Sequence, residues 1–126
     1  MNFFSNLLNN SGILENSNIA DEYERLLLQD EQIEVGFKLN EDTFIFTNMR
    51  MVLVDLKKGD DIGIEYLSLP YSRISNFCVQ TKKSFNSKAT LKIWLNGQNE
   101  PQLEKEFSKS VDVYEVQKIL AGHVLR

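Results

Sequence analysis

The densest group of chemically capable residues in this sequence is a run of lysines interleaved with aromatic rings. Lys82, Lys83 and Lys88 flank Phe85, and Lys92 lies two positions before Trp94. From residue 66 to residue 99 the chain carries these lysines and Arg73 but no carboxylate. Cations around an aromatic side chain suit an anionic lipid surface or a single-stranded nucleic acid. The chain as a whole is acidic, with a formal net charge of −4, and lacks the basic footprint of a nucleic-acid binder. No nucleic-acid partner is therefore expected. A solvated loop beside a packed tryptophan is favoured, with an anionic-ligand or membrane surface at Lys82, Lys83, Lys88, Lys92 and Trp94 as the alternative.

Catalytic chemistry finds little to work with. One cysteine and one histidine exclude an intramolecular disulfide framework and multi-histidine or multi-cysteine metal sites built within one chain. Cys78 falls in a strand pattern, where a thiol serves as a small buried hydrophobe. His123 lies near the end of the last helical segment, where free carbonyls attract it. Glu41-Asp42 and Asp60-Asp61 are paired acids on turns without the ligand spacing of a calcium loop. No glycine-rich phosphate loop, nucleophile elbow or zinc-protease motif is present. The expectation is no enzyme, no metal and no cofactor.

The elements that must position these residues change character near residue 30. The first 30 residues hold five carboxylates and one base, so the remaining 13 acids and 13 bases cancel. Phe3, Phe4, Leu7 and Leu8 form an apolar stripe at helical spacing, broken by Asn9-Asn10-Ser11-Gly12. A second helix is predicted over Asn18–Leu28, with Asn18 as its cap and Ile19, Tyr23, Leu26 and Leu27 on one face. From Ile33 the apolar period falls to two. Strands are predicted at Ile33–Leu39, Thr43–Phe46, Met51–Leu56, Ile64–Leu69, Ile74–Thr81, Thr90–Leu95 and Leu103–Phe107. Val113, Val116, Ile119, Leu120 and Val124 then recur at helical spacing within Val111–Leu125, with Asp112 or Ser110 as cap. The 126 residues suit one core, here divided into an N-terminal helical segment, 1–30, and a barrel domain, 31–126.

Three blocks carry a family resemblance: Phe44-Ile-Phe-Thr-Asn-Met-Arg-Met-Val-Leu-Val-Asp55, Glu65-Tyr-Leu-Ser-Leu-Pro-Tyr-Ser-Arg-Ile-Ser-Asn-Phe77 and Leu91-Lys-Ile-Trp-Leu-Asn-Gly97. With Lys105-Glu106-Phe107 and Asp112 to Gln117 following in order, the chain resembles the bacterial pleckstrin-homology (PH) domain family over roughly Asp21 to Val124. The resemblance implies a mainly β (α+β) fold. Its PH-like barrel would have seven antiparallel strands in two near-orthogonal sheets, a C-terminal capping helix and additional N-terminal helices. It also implies small stand-alone domains that form symmetric rings, with the N-terminal part between subunits. The Lys82–Lys88 loop departs from the family pattern, which has a small residue, a glycine and an acid there. Phosphoinositide binding, known from eukaryotic PH domains, needs cations in the loop after the first strand. Leu39–Thr43 instead presents Glu41 and Asp42, which repel a phosphorylated headgroup.

The expected partner is the chain itself. An unpaired stripe such as Phe3, Phe4, Leu7 and Leu8 would leave an exposed apolar patch on a monomer, and its polar face of Asn and Ser lacks lysines to draw it to anionic lipid. With Ile19 and Tyr23 of the second helix, these residues are the candidate interface of a homo-oligomer. The N-terminus has no positive region before its apolar residues, and no apolar run approaches about 18 residues. A cytoplasmic location is expected.

Overall fold

The computed structural model describes residues 13–14, 21–39, 42–57, 62–81, 88–107 and 111–126, and Ile13, Leu14 and Leu39 by backbone alone. Eight strands and a C-terminal helix are formed by these residues. A two-residue strand, β1 (Ile13–Leu14), precedes β2 (Ile33–Leu39), β3 (Asp42–Thr47), β4 (Arg50–Lys57) and β5 (Gly63–Pro70), and these five pair antiparallel in chain order. The second sheet is β6 (Ile74–Gln80), β7 (Ala89–Leu95) and β8 (Leu103–Phe107), also antiparallel. Helix α1 (Val113–Val124) closes the chain. The seven predicted strands are all present within one residue at each end. β1 was not expected, because two residues are too few to establish a period; it is held by pairing of Ile13 with Phe37 and Leu14 with Gly36.

Alternation explains which side chains fill the barrel. Phe37, Phe44, Phe46 and Phe107 are fully buried; Phe37 meets Phe46 at 5.8 Å and Phe107 at 6.2 Å edge to face, while Phe44 stacks on Phe46 and lies tilted to Phe107. Phe107 belongs to the second sheet, so these rings join the two sheets. Val116, Ile119 and Leu120 of α1 complete the same core. The Asp112 carboxylate caps α1 by accepting from the Tyr114 amide at 3.0 Å, one of the orphan donors of a helix start. Between β7 and β8, Gly97 takes φ 83°, a left-handed turn conformation that suits glycine.

The N-terminal region departs from its predicted form. Residues 21–23 are helical, but Glu24–Leu26 tightens into a 3-10 turn and Leu27 is already extended. The predicted second helix thus ends earlier than Leu28. Tyr23 and Leu26 pack with Ile33 against Ile45, Val52 and Val54 on the outer face of β3 and β4. This explains why β3 is buried on both faces. Its inner residues fill the barrel while its outer ones lie under the N-terminal turn. The first predicted helix, around Phe3 to Leu8, and the start of the second, including Ile19, lie outside the described residues.

Candidate interaction surface

The cover supplied by Tyr23 and Leu26 stops short of the sheet's edge. Among the described strands β5 pairs with β4 alone, with Leu56 opposite Ile64, Val54 opposite Tyr66 and Val52 opposite Ser68. Since side chains alternate across a sheet, Ile64 and Tyr66 share the outer face with Val52 and Val54. Beyond the covered valines its described residues are partly or largely exposed. Leu56 is 40% exposed, Ile64 52%, Tyr66 48% and Ile62, just before β5, 88%. Singly such residues are ordinary; a contiguous row of them along a strand paired on one side only among the described strands is a candidate interaction surface. Tyr66 also borders a cleft lined by Glu22, Tyr23, Arg25 and Leu26, so the N-terminal turn and the exposed row form one continuous face.

A buried ionic network fixes that turn. The Arg50 guanidinium donates to both oxygens of Glu31, Nε to Oε2 at 2.8 Å and Nη2 to Oε1 at 2.9 Å. It also donates to the Leu26 carbonyl at 2.8 Å and, through Nη1, to Ser68 Oγ at 2.9 Å. Glu31 further accepts from Thr47 Oγ1 at 2.7 Å and from the Leu28 amide at 3.1 Å. Its side chain is wholly buried. Hydrogen bonds from Arg50 outweigh the burial that opposes its charge and lower its pKa to about 2. Residues 26, 28, 31, 47, 50 and 68 are thus tied across the N-terminal turn, β3, β4 and β5. Nothing in the sequence flagged this pair, because Glu31 and Arg50 sit 19 residues apart and each reads as an ordinary strand-end charge.

The profile of the bacterial PH domain family matches residues 2–124. This chain belongs to that family. The chain is 37% identical to the protein YjqA of Bacillus subtilis (strain 168) over 122 residues, covering 97% of this chain and 98% of that one. It is 32% identical to YozO of the same organism over 105 residues, 83% of this chain and 89% of the other. A pleckstrin homology domain from Shewanella amazonensis SB2B superposes with a TM-score of 0.77 at 34% identity, over 89% of this chain and 100% of that domain. A DUF1696 family protein with a pleckstrin-homology domain, from Shewanella loihica PV-4, gives a TM-score of 0.79 at 33% identity, over 91% and 97%.

On this PH-like frame the described members of the lysine-rich region, Lys88, Lys92 and Trp94, lie on or next to β7. Lys88 is exposed at the start of β7, whereas Lys92 pairs across the ladder with Glu104 at 3.4 Å. Trp94 shares the face of Lys92 and is half-buried, while Leu91 and Ile93 point into the core. Lys82, Lys83 and Phe85 lie outside the described residues. In the β2–β3 turn, Asp42 is engaged: its Oδ1 accepts from the Leu56 amide at 3.2 Å and its Oδ2 from Lys105 Nζ at 3.1 Å. Lys105, on β8, also reaches Asp55 at 3.4 Å, so one ammonium bridges the two sheets. Burial opposes its charge, but the two carboxylates prevail and raise its pKa.

Two sequence expectations are corrected. His123 does not serve the carbonyls at the helix end. Its Nε2 lies 2.6 Å from Glu34 Oε1 on β2, and its ring stacks on Tyr71 at 4.1 Å with an interplanar angle of 5°. Tyr71 in turn donates to the Thr47 carbonyl at 2.7 Å; burial, with the charges of Glu34 and Glu31, pushes its phenol well above the usual range. Barrel closure brings a β2 carboxylate under the helix, so His123 takes the stronger, charge-capable acceptor. Cys78 is half-buried rather than buried, since it stands opposite Lys92 on the outer face of its sheet. Among the described residues no three His, Cys, Asp or Glu side chains gather in a group that could hold a metal ion, and no helix is long and apolar enough to cross a membrane.

Proposed function

We propose that this PH-domain chain is a non-enzymatic scaffold of the cytoplasm that assembles with copies of itself into a ring-like homo-oligomer. The observation that carries this reading is the exposed row Leu56, Ile62, Ile64 and Tyr66 at the open edge of the five-stranded sheet. A second copy laid against it would cover the apolar side chains and give the β5 backbone a partner, removing an aggregation liability. Contact between this edge and a different surface of the next copy repeats around an axis, and such contacts close into rings where the rotation permits. The apolar N-terminal stripe of Phe3, Phe4, Leu7 and Leu8 is a second candidate contact between copies. His123 supports the non-enzymatic reading, being held by Glu34 and Tyr71 as a tie between helix and barrel.

Light scattering coupled to size exclusion tests the assembly. A mass of several subunits is expected, falling towards the 14.6 kDa of one chain in Ile64→Lys/Tyr66→Lys, whose sites are exposed and tolerate charge. A chain lacking residues 1–17 should assemble less if that segment contributes. A wild-type mass of one chain at every concentration would end the proposal.

A further inference from the structure

A second open edge lies on the other sheet. β6 pairs with β7 alone among the described strands, so one side of its backbone offers donors and acceptors to an incoming strand. Helix α1 runs beside that edge, and between them is a groove of about 370 Å³ lined by Phe77, Tyr114, Gln117, Lys118, Ala121 and Leu125. The helix therefore has two stripes. Val116, Ile119 and Leu120 enter the core, while Tyr114, Gln117, Lys118, Ala121 and Leu125 follow helical spacing along the groove. Tyr114 is 73% and Leu125 74% exposed, so large apolar side chains stand uncovered at both ends.

Dimensions and charge narrow the occupant. Tyr114 to Leu125 spans about 16 Å at a helical rise of 1.5 Å per residue. A five-residue strand spans about 17 Å, so one short extended segment runs the full length of the groove. Charge is graded along it. His123 stacks on Tyr71, which places the end of α1 beside the turn that leads into β6. That end carries the exposed Arg73 and Arg126, with Lys118 midway. Asp112 and Glu115 lie at the opposite end, Asp112 capping the helix and Glu115 3.6 Å from Lys118. The strand itself, with all of residues 66–99, has no carboxylate.

We infer that the groove between β6 and α1 binds an extended peptide segment of another protein, which adds antiparallel to β6 and bears carboxylates at its C-terminal end. Backbone hydrogen bonds to the free edge supply affinity, alternate apolar side chains fill the groove, and Arg73 and Arg126 receive the carboxylates. This surface is separate from the β5 row and stands whether or not that row mediates assembly.

The probe is a fluorescein-labelled heptapeptide alternating valine with threonine and ending in two aspartates, titrated into the full chain by fluorescence anisotropy. Saturable binding is expected, with slowed hydrogen–deuterium exchange confined to residues 74–80 and 114–125. A peptide with proline at its centre, which cannot complete the ladder, and one with lysines for the aspartates should each bind at least tenfold more weakly. Ala121→Glu, which fills and recharges the groove, should do the same with unchanged circular dichroism; Tyr114→Glu, at an exposed site, replaces it should that variant not fold. Absence of saturable binding, equal binding of the proline peptide, or protection mapping to β5 would overturn the inference. So would a drop in oligomer mass in Ala121→Glu, because the groove would then be an interface between copies.

Discussion

Replacing Glu31 with glutamine probes the network that holds the N-terminal turn on the barrel. Each carboxylate oxygen accepts two hydrogen bonds: Oε1 from Arg50 and the Leu28 amide, Oε2 from Arg50 and Thr47. An amide supplies one oxygen and one NH2. Whichever way it turns, two donors face a third donor, and the Arg50 charge loses its partner. The stability at stake follows from the acidity. A carboxyl held at about 2 instead of its ordinary value of 4.5 corresponds to about 3 kcal/mol of stability at neutral pH, at 1.36 kcal/mol per unit. This agrees with the roughly 3–5 kcal/mol measured when one partner of a buried ion pair is removed. Because the folded-state value is depressed, the contribution is fully present above the unfolded value and disappears as pH falls through the folded one. Linkage places about 1.4 kcal/mol of it at pH 3. Urea unfolding of wild type and Glu31→Gln at one protein concentration, at pH 7 and pH 3, measures both quantities. Glu31→Gln should be about 3 kcal/mol less stable at pH 7, with a clearly smaller deficit at pH 3. A deficit under about 0.5 kcal/mol at pH 7, or one independent of pH, would refute the reasoning.

Two further perturbations address the other ties. His123→Ala removes the Glu34 contact and the ring stacked on Tyr71; a loss of about 1–2 kcal/mol is expected, with faster hydrogen exchange concentrated in the last turn of α1. A uniform change along the helix would count against a local tie. Lys105→Met leaves Asp42 and Asp55 adjacent without their shared cation. A deficit of about 1–3 kcal/mol in thermal or urea unfolding is expected at pH 7. It should shrink in acid, because the Lys105 charge is among the causes that lower the Asp55 pKa, and that contribution is lost as Asp55 takes up a proton.

Strand positions were legible along the chain because a half-buried strand imposes a period of two on its own residues. Val35-Phe37 and Leu91-Ile93-Leu95 state their inner face without reference to any partner, whereas Ile33, in period with the first pair, is turned to the outer face by a register shift in the β2–β3 ladder. The same holds for Val116, Ile119 and Leu120, whose helical spacing names the buried side of α1. The family resemblance rested on such blocks, and the matching profile and the Shewanella structures agree with it. The early end of the N-terminal helix was not legible. What holds the chain there is a hydrogen bond from Arg50, on β4, to the Leu26 carbonyl, and the local bond from the Leu28 amide to a Glu31 that the same arginine holds in place. His123 was misread for the same reason: the nearest polar groups in sequence are helix carbonyls, and the nearest in space is a carboxylate 89 residues away.

By itself, then, the sequence determined where the chain would form strands and a closing helix, and which face of each would be buried. Hydrophobic period is a local property that survives without any tertiary context. Only the tertiary structure decided that β5 and β6 are edges among the described strands, that Glu31 and Arg50 share a buried site, and that Tyr114 and Leu125 stand exposed at the ends of one side of α1. Each depends on which distant segments meet, and strand order and ionic pairing leave no periodic trace in the residues that take part.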